Sequence, residues 1–440
     1  MQATKNNKVS LSIGVNEDIS WQKSLMLGLQ HVLAMDVYVP PFLIAVAVGM
    51  TGHASTALIQ STFLGAGIAS LIQVLFFLKL PVCQGPSFVP VGAMAGIIVA
   101  NGGRLDAAMG ASLVGALAVT LLGMSGLYRY IVKNFVPPLV SGTIIVIVGL
   151  TLLPTAFTSN IFVANKALSM QQNVLLAVVT ATVMILCSML GVYFNNNGKL
   201  FRISSVIIAL FVGSVIAYLM GGLDLSTVSQ TSFLSLPNFA FINYGLSFNF
   251  SAIITMLVIY LVLLAETTGT WYAVSAVIEE PLDEKQVNQG VIGEGLGCLV
   301  ASLIGATPLT GYSTNAGVIS ITGVASRKVF VGASFVFIGL AFLGKLSALI
   351  NAIPMAVIGG VFAVVCVVIM LSGFRVIKNE PLTERQVYII GVPLIFAVGL
   401  LFMPAALTKN APELIQYLLA SPIAVSAIVA IVMNKLLPEK

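Results

Sequence analysis

The sequence predicts an all-α membrane protein of fourteen transmembrane segments, arranged as two inverted seven-segment repeats, with short extended stretches in segments 3 and 10. Three observations carry this reading. The first is composition: 58% of the 440 residues are hydrophobic and 8% are charged, where a soluble domain carries about 25% charged residues. No water-soluble shape of this size hides so much apolar surface. The second is length: apolar runs such as Leu175 to Tyr193 match the roughly 20 residues that a spanning helix needs. The third is order, because the two halves of the chain echo each other. The short alternating segments of a β-barrel are absent, and 40 glycines suit helices that approach closely in lipid.

Taken along the chain, the segments lie near 23–44, 58–78, 82–100, 107–127, 136–154, 172–194, 203–221, 251–277, 287–305, 309–323, 328–344, 347–372, 386–405 and 413–434. Two long polar loops, 155–171 and 222–250, separate them. Basic residues test the count. With the N-terminus inside, Lys5, Lys8, Lys23, Lys79, Arg129, Lys133, Lys199, Arg202, Lys285, Arg327, Lys328, Arg375, Lys378, Arg385, Lys435 and Lys440 fall on the cytoplasmic side. Arg104, Lys166, Lys345 and Lys409 fall outside. That asymmetry obeys the positive-inside rule and places both termini in the cytoplasm. The pI of about 9.0 then reflects orienting loop charges, not a nucleic-acid surface. Residues 1–20 are polar and lack the apolar core of a signal peptide. Cys83, Cys187, Cys298 and Cys366 stand singly in apolar stretches and read as small buried hydrophobes.

Three echoes support the repeat. Pro81 to Ser87 resembles Pro308 to Ser313, Gly110 to Val114 resembles Gly332 to Val336, and Pro137 to Gly142 resembles Pro354 to Gly359. An odd number of segments per half makes the second copy enter from the opposite side. Inverted repeats are an architecture of secondary transporters, with the site near the midplane on broken helices. The matching segments 81–100 and 308–323 each begin with Pro and a polar, Gly-containing stretch. Each is expected to run extended and then become a half-helix. Extended backbone in a membrane must find partners, so the two stretches are placed to pair. Ser87 and Asn315 are expected as N-caps, with half-helix N-termini adding positive potential.

Ionisable residues inside spans are costly and usually functional. Glu266 follows thirteen mostly apolar residues and sits inside a span, because the helix must continue past it. Glu294, within Gly293 to Gly297, lies about a third of the way along its segment. His31 and Asp36 share segment 1, where an ideal helix turns them about 140° apart. His31 reads as a residue that orients neighbouring helices, and His53 as a loop residue. Thr314 and Asn315 bring polarity to the second break. No Lys or Arg lies near the middle of either broken segment. Carboxylate, amide, hydroxyl and backbone groups suit a planar ligand rich in donors and acceptors. Two histidines and scattered cysteines offer neither a nucleophile–base pair nor a metal cluster, so no enzyme or cofactor is expected.

At these residues the chain resembles the nucleobase–ascorbate transporter family, the xanthine/uracil permeases. The family signature appears as Thr314-Asn315-Ala316-Gly317, continuing to Thr322-Gly323. Gln30-His31, Leu80 to Phe88, Ala265 to Gly269 and Glu294 to Gly297 match the family's patterns in segments 1, 3, 8 and 9. The resemblance covers nearly the whole chain. It implies a tail (1–20), a core domain (21–128 and 250–345) and a gate domain (129–249 and 346–440). It implies a homodimer in the lipid of the bacterial inner membrane, importing a nucleobase with a proton or sodium ion.

Carried over, Glu266 binds the base, Ser87 and the backbone near Phe88 and Ser313 meet its edge, and Thr314 makes the second side-chain contact. Asn315, Gly317 and Glu294 support the tenth segment, and His31, Asp36 and Thr270 fall at coupling or supporting positions. Three positions depart from the family pattern. Thr314 replaces an amide or carboxylate, Thr270 replaces a titratable group, and Asp36 is an acid where relatives are apolar or aromatic. The final Gly323 and the Glu266 to Gly269 stretch lean towards purines such as xanthine or urate. A uracil-type permease and an anion transporter of the sulfate-permease kind are the alternatives.

Overall fold

The computed structural model describes residues 11–438, apart from 51, 165–166, 195–200, 202–203, 238, 240–242, 379 and 409. Lys5, Lys8, Lys166, Lys199, Arg202, Lys409 and Lys440, which enter the expected charge asymmetry, lie outside the described residues.

Backbone in lipid satisfies its own polar groups by coiling into helices, and the apolar runs do so here. The first half contains α1 (Trp21–Leu33), α2 (Val39–Ala47), α3 (His53–Leu71), β1 (Gln84–Pro86), α4 (Val91–Ala100), α5 (Asp106–Ser125), α6 (Leu127–Phe135), α7 (Pro138–Pro154), α8 (Met170–Tyr193), α9 (Ser205–Leu219) and α10 (Ser226–Gln230). The second contains α11 (Phe250–Ile278), α12 (Glu284–Ile304), β2 (Leu309–Gly311), α13 (Thr314–Thr322), α14 (Arg327–Phe342), α15 (Gly344–Ala352), α16 (Met355–Ile377), α17 (Glu384–Leu401), α18 (Glu413–Leu419) and α19 (Pro422–Leu436). Among the described residues, eight helices are long and apolar enough to cross a bilayer. The pair α18 and α19, bent by 88°, makes a ninth if counted as one span.

The other expected segments are short or broken, and proline explains several breaks. Segment 1 is two helices, because α2 starts afresh at Val39 with Pro40 and Pro41 in its first turn. Proline has no N–H to give a preceding carbonyl, and it fits that first turn. Segment 12 splits at Ile353, whose ψ of 127° is extended, just before Pro354. Segment 5 runs on past Pro154 as a π-helical stretch, Thr155–Ile161, where a loop was expected. His53 opens α3 and is not a loop residue.

Two groups of helices pack internally. α1 lies on α14, α14 on α3, α3 and α5 on α12, and α5 on α11. Separately, α16 lies on α7 and α8, α8 on α9, and α17 and α19 on each other and on α7. At the α1–α14 crossing the backbones touch. A Cβ on Gly332 would stand 2.6 Å from the Ser24 carbonyl oxygen, and one on Gly28 would stand 2.5 Å from the Ala333 nitrogen.

Residues 11–20 are fastened down as a strap. The Ser12 N–H donates to the Gly323 carbonyl (2.8 Å), the Ala325 N–H to Ile13 (2.9 Å) and the Arg327 N–H to Val15 (2.9 Å). Ile13, Val15 and Ile19 are buried. Lys328 Nζ meets Asp18 Oδ1 at 2.6 Å and lies 5.0 Å above the Trp21 ring.

The two extended stretches form as expected, and they pair. β1 and β2 are antiparallel, with Gln84 opposite Gly311, Gly85 opposite Thr310 and Pro86 opposite Leu309. The Tyr312 N–H to Cys83 carbonyl and Ser87 N–H to Pro308 carbonyl bonds, both 3.0 Å, extend the ladder. All six strand residues are buried.

Candidate functional site

The site is built around this ribbon. Each strand feeds a short helix, α4 after β1 and α13 after β2. The long helix α11 runs alongside and delivers Glu266. The Ser87 hydroxyl donates to Glu266 Oε2 at 2.6 Å, and Ser87 Oγ in turn accepts the Val89 N–H at 3.0 Å. Thus Ser87 ties the end of β1 to a carboxylate on α11. It is not an N-cap: the position before α4 is Pro90, which offers no side-chain bond.

Asn315 is not an N-cap either. Ser313 holds that position without a side-chain bond, and Asn315 lies inside α13, fully buried. Its Oδ1 accepts the Cys83 N–H at 2.7 Å. At the Cys83 N–H, just before β1, a side chain thus stands in for a ladder carbonyl and satisfies the buried donor. Asn315 Nδ2 and Thr314 Oγ1 are buried and without partners among the described residues. Ser313 is exposed. At Gly317 an added Cβ would meet nothing within 4 Å. The α13 face bearing Ser313 and Gly317 therefore borders open space. Phe88, at the other end of β1, stacks on Phe362 of α16 with ring centroids 5.7 Å apart.

The remaining candidates lie around this centre. Glu294 is buried on α12, where Oε2 accepts from Gln73 Nε2 at 3.1 Å. Thr270 is buried on α11, one turn beyond Glu266. His31 packs on Phe330 of α14, ring centroids 4.3 Å apart. That contact fits a residue orienting two helices. Asp36 lies in the link between α1 and α2, and its Oδ1 accepts the Tyr312 hydroxyl at 2.9 Å. The helix expected to carry His31 and Asp36 together ends at Leu33, between them.

Four participants escaped the sequence reading. Thr267 Oγ1 accepts the Gly311 N–H at 2.8 Å and so anchors β2 to α11. Ser70 Oγ accepts the Gln84 N–H at 2.7 Å and anchors β1 to α3. Gln84 is buried with both side-chain amide atoms unpartnered. Tyr312 joins the ribbon to Asp36. Polarity within apolar sequence was the available signal for all four. Among the described residues no ion pair reaches Glu266, Glu294 or Asp36, no group of metal-ligating side chains assembles, and the four cysteines are free and buried.

Known proteins share both the sequence and the fold. A Clostridium perfringens protein named as a purine permease is 32% identical over 445 residues, covering 100% of this chain and 95% of the relative. The xanthine permease XanP of Escherichia coli is 30% identical, with 95% and 92% covered. The uric acid permease PucK of Bacillus subtilis is 29% identical, with 94% and 96% covered. Among solved structures, the transmembrane domain of the cyanobacterial bicarbonate transporter BicA superposes with a TM-score of 0.59 at 15% identity, over 96% of this chain and all of that domain. SLC26A9 gives 0.62 at 13%, over 93% of this chain and 64% of its own. At such identities the structures speak for the fold alone. Residues 22–406 match the permease family of the xanthine/uracil type, and with relatives of this closeness along its whole length, the chain belongs to that family, the nucleobase–ascorbate transporters.

Proposed function

We propose that the chain imports a nucleobase, with purines such as xanthine or urate favoured, by proton- or sodium-coupled symport with alternating access. The observation that carries this is the Ser87–Glu266 bond at the end of the paired ribbon. A carboxylate accepts two N–H groups side by side. A base with adjacent N–H donors would therefore replace Ser87 on Glu266, while backbone near Phe88 and Ser313 meets its remaining edge. Thr314 would make the second side-chain contact. Asn315, Gly317 and Glu294 would shape and hold α13, with Thr270 and His31 in support. The named substrates of XanP and PucK support a purine.

In this reading the fourteen segments form two inverted repeats in the inner membrane, with both termini cytoplasmic and the protein a homodimer. Residues 1–20 form the tail. A core domain, 21–128 and 250–345, moves against a gate domain, 129–249 and 346–440. Phe88 and Phe362 would lie on the two sides of that boundary, so their stack would open and close in each cycle.

The test is uptake of radiolabelled xanthine, urate, hypoxanthine, guanine, adenine and uracil into cells expressing the chain. Glu266→Gln is expected to cut uptake roughly 10- to 100-fold, as loss of a charge-assisted bond worth about 1.5–3 kcal/mol implies. Undiminished uptake by this variant removes Glu266 from the site. Transport of sulfate or bicarbonate with no base favours the anion reading, which the site's lack of Lys or Arg does not support.

A further inference from the structure

Asp36 is 6% exposed, and among the described residues nothing bonds to its Oδ2. The sequence around it withholds the usual compensations. The residue follows the C-terminal end of α1, where the helix dipole is negative and repels a carboxylate. The next helix, α2, places Pro40 and Pro41 in its first turn, so two N–H groups that cap an acid elsewhere are missing. The Val39 N–H goes to Asp36's own carbonyl, at 2.9 Å.

Among the described residues the Tyr312 hydroxyl, from the β2–α13 junction, bonds to Asp36, and the Tyr38 hydroxyl of its own link and the Cys366 thiol of α16 lie within reach of its charge. His31, the nearest imidazole on α1, is turned onto Phe330. None of these is a cation. An isolated buried carboxylate is too costly to keep bare. Two phenols and a thiol give a metal ion too few oxygens, whereas a proton needs one carboxyl oxygen.

We propose that Asp36 is a proton-carrying carboxyl, set apart from Glu266 and joined to the ribbon by Tyr312. A proton binds an Oδ2 lone pair to form an O–H bond, and the same bond breaks on release. The group changes between neutral and singly negative, and nothing else is made or broken. Tyr312 transmits the change. Its backbone is tied to Cys83 (3.0 Å), and its ring occupies the place of a Cβ on Gly85, 2.5 Å from that position. A newly charged Asp36 tightens its hold on the hydroxyl and pulls on both strands. This proposal rests on the transport reading for the use of the proton but not for its presence.

Two measurements on the full-length protein test it. In detergent, infrared difference spectra against pH are expected to show a protonated-carboxyl band at neutral pH. Asp36→Asn removes that band, Tyr312→Phe shifts it, and Glu266→Gln leaves it in place. Identical spectra for wild type and Asp36→Asn overturn the proposal whether or not a base is transported. In proteoliposomes loaded with xanthine, Asp36→Asn is expected to keep base exchange within about twofold while losing pH-driven accumulation at least tenfold, with Asp36→Glu restoring it. Full pH-driven accumulation by Asp36→Asn overturns the proposal. So does accumulation that follows a sodium gradient and is lost in this variant, or loss of exchange together with accumulation. Failure of the wild type to exchange any base sinks the nucleobase reading alone, and the infrared result then decides the fate of Asp36.

Discussion

A methyl group separates two glycines of the site that look alike in sequence. At Gly85 an added Cβ runs into the Tyr312 ring, which is held by Asp36. Gly85→Ala is expected to destabilise the protein by about 1–3 kcal/mol, as overpacking does, read as a lower melting temperature in detergent. At Gly317 the same methyl enters open space. Gly317→Ala is expected to leave stability within about 0.5 kcal/mol while raising the KM for xanthine. Asn315→Ala strands the buried Cys83 N–H and is expected to cost about 1–3 kcal/mol, visible in the same melts. Asn315, Ser87 and Glu266 were legible as polar residues in apolar sequence. Their partners were not. A side chain at a break can cap its own helix or reach a distant backbone, and local sequence leaves both open. Thr267 was hidden for a related reason: beside a carboxylate it reads as ordinary helix, and the strand it holds arrives from elsewhere.

Among the elements, breaks marked by proline and glycine together with polar residues were readable, as at β1 and β2. Breaks marked by proline alone, before α2 and α16, were masked by continuous hydrophobicity on both sides. The strap was invisible, because its contacts are mostly backbone bonds that any polar tail offers. Lys328 holds Asp18 below the usual carboxylate range through a hydrogen bond and its charge. A depressed acid contributes its stabilisation above its unfolded value and loses it as pH falls through the folded one. The ion pair is therefore expected to persist through neutral pH and to release only at a pH more acidic than that at which an ordinary aspartate protonates. Emission from Trp21, which lies under Lys328, is expected to follow this step. Asp18→Asn should abolish the step, and an unchanged step would assign it to another group.

For the whole molecule, the proposed orientation has a direct check. The four native cysteines are buried, so single cysteines can be added to the wild-type background. Asp18→Cys and Pro438→Cys are both expected to resist an impermeant maleimide on intact cells and to react once the membrane is opened. Labelling of either one from outside overturns the orientation. Composition made membrane residence legible, and the span lengths follow from it. How the helices group in space depends on long-range packing, which single-chain periodicity does not encode.

The pairing of β1 with β2 also constrains how the protein is made. A ribosome that has released β1 into the membrane has made a strand whose partner belongs to the other half of the chain. Until that half is synthesised, the exposed edge must be shielded by the translocon, by lipid headgroups or by a temporary coil. The site should therefore be among the last parts of the protein to form. A truncated chain ending before Leu309 is left not with half a site but with an unpaired edge open to misassembly.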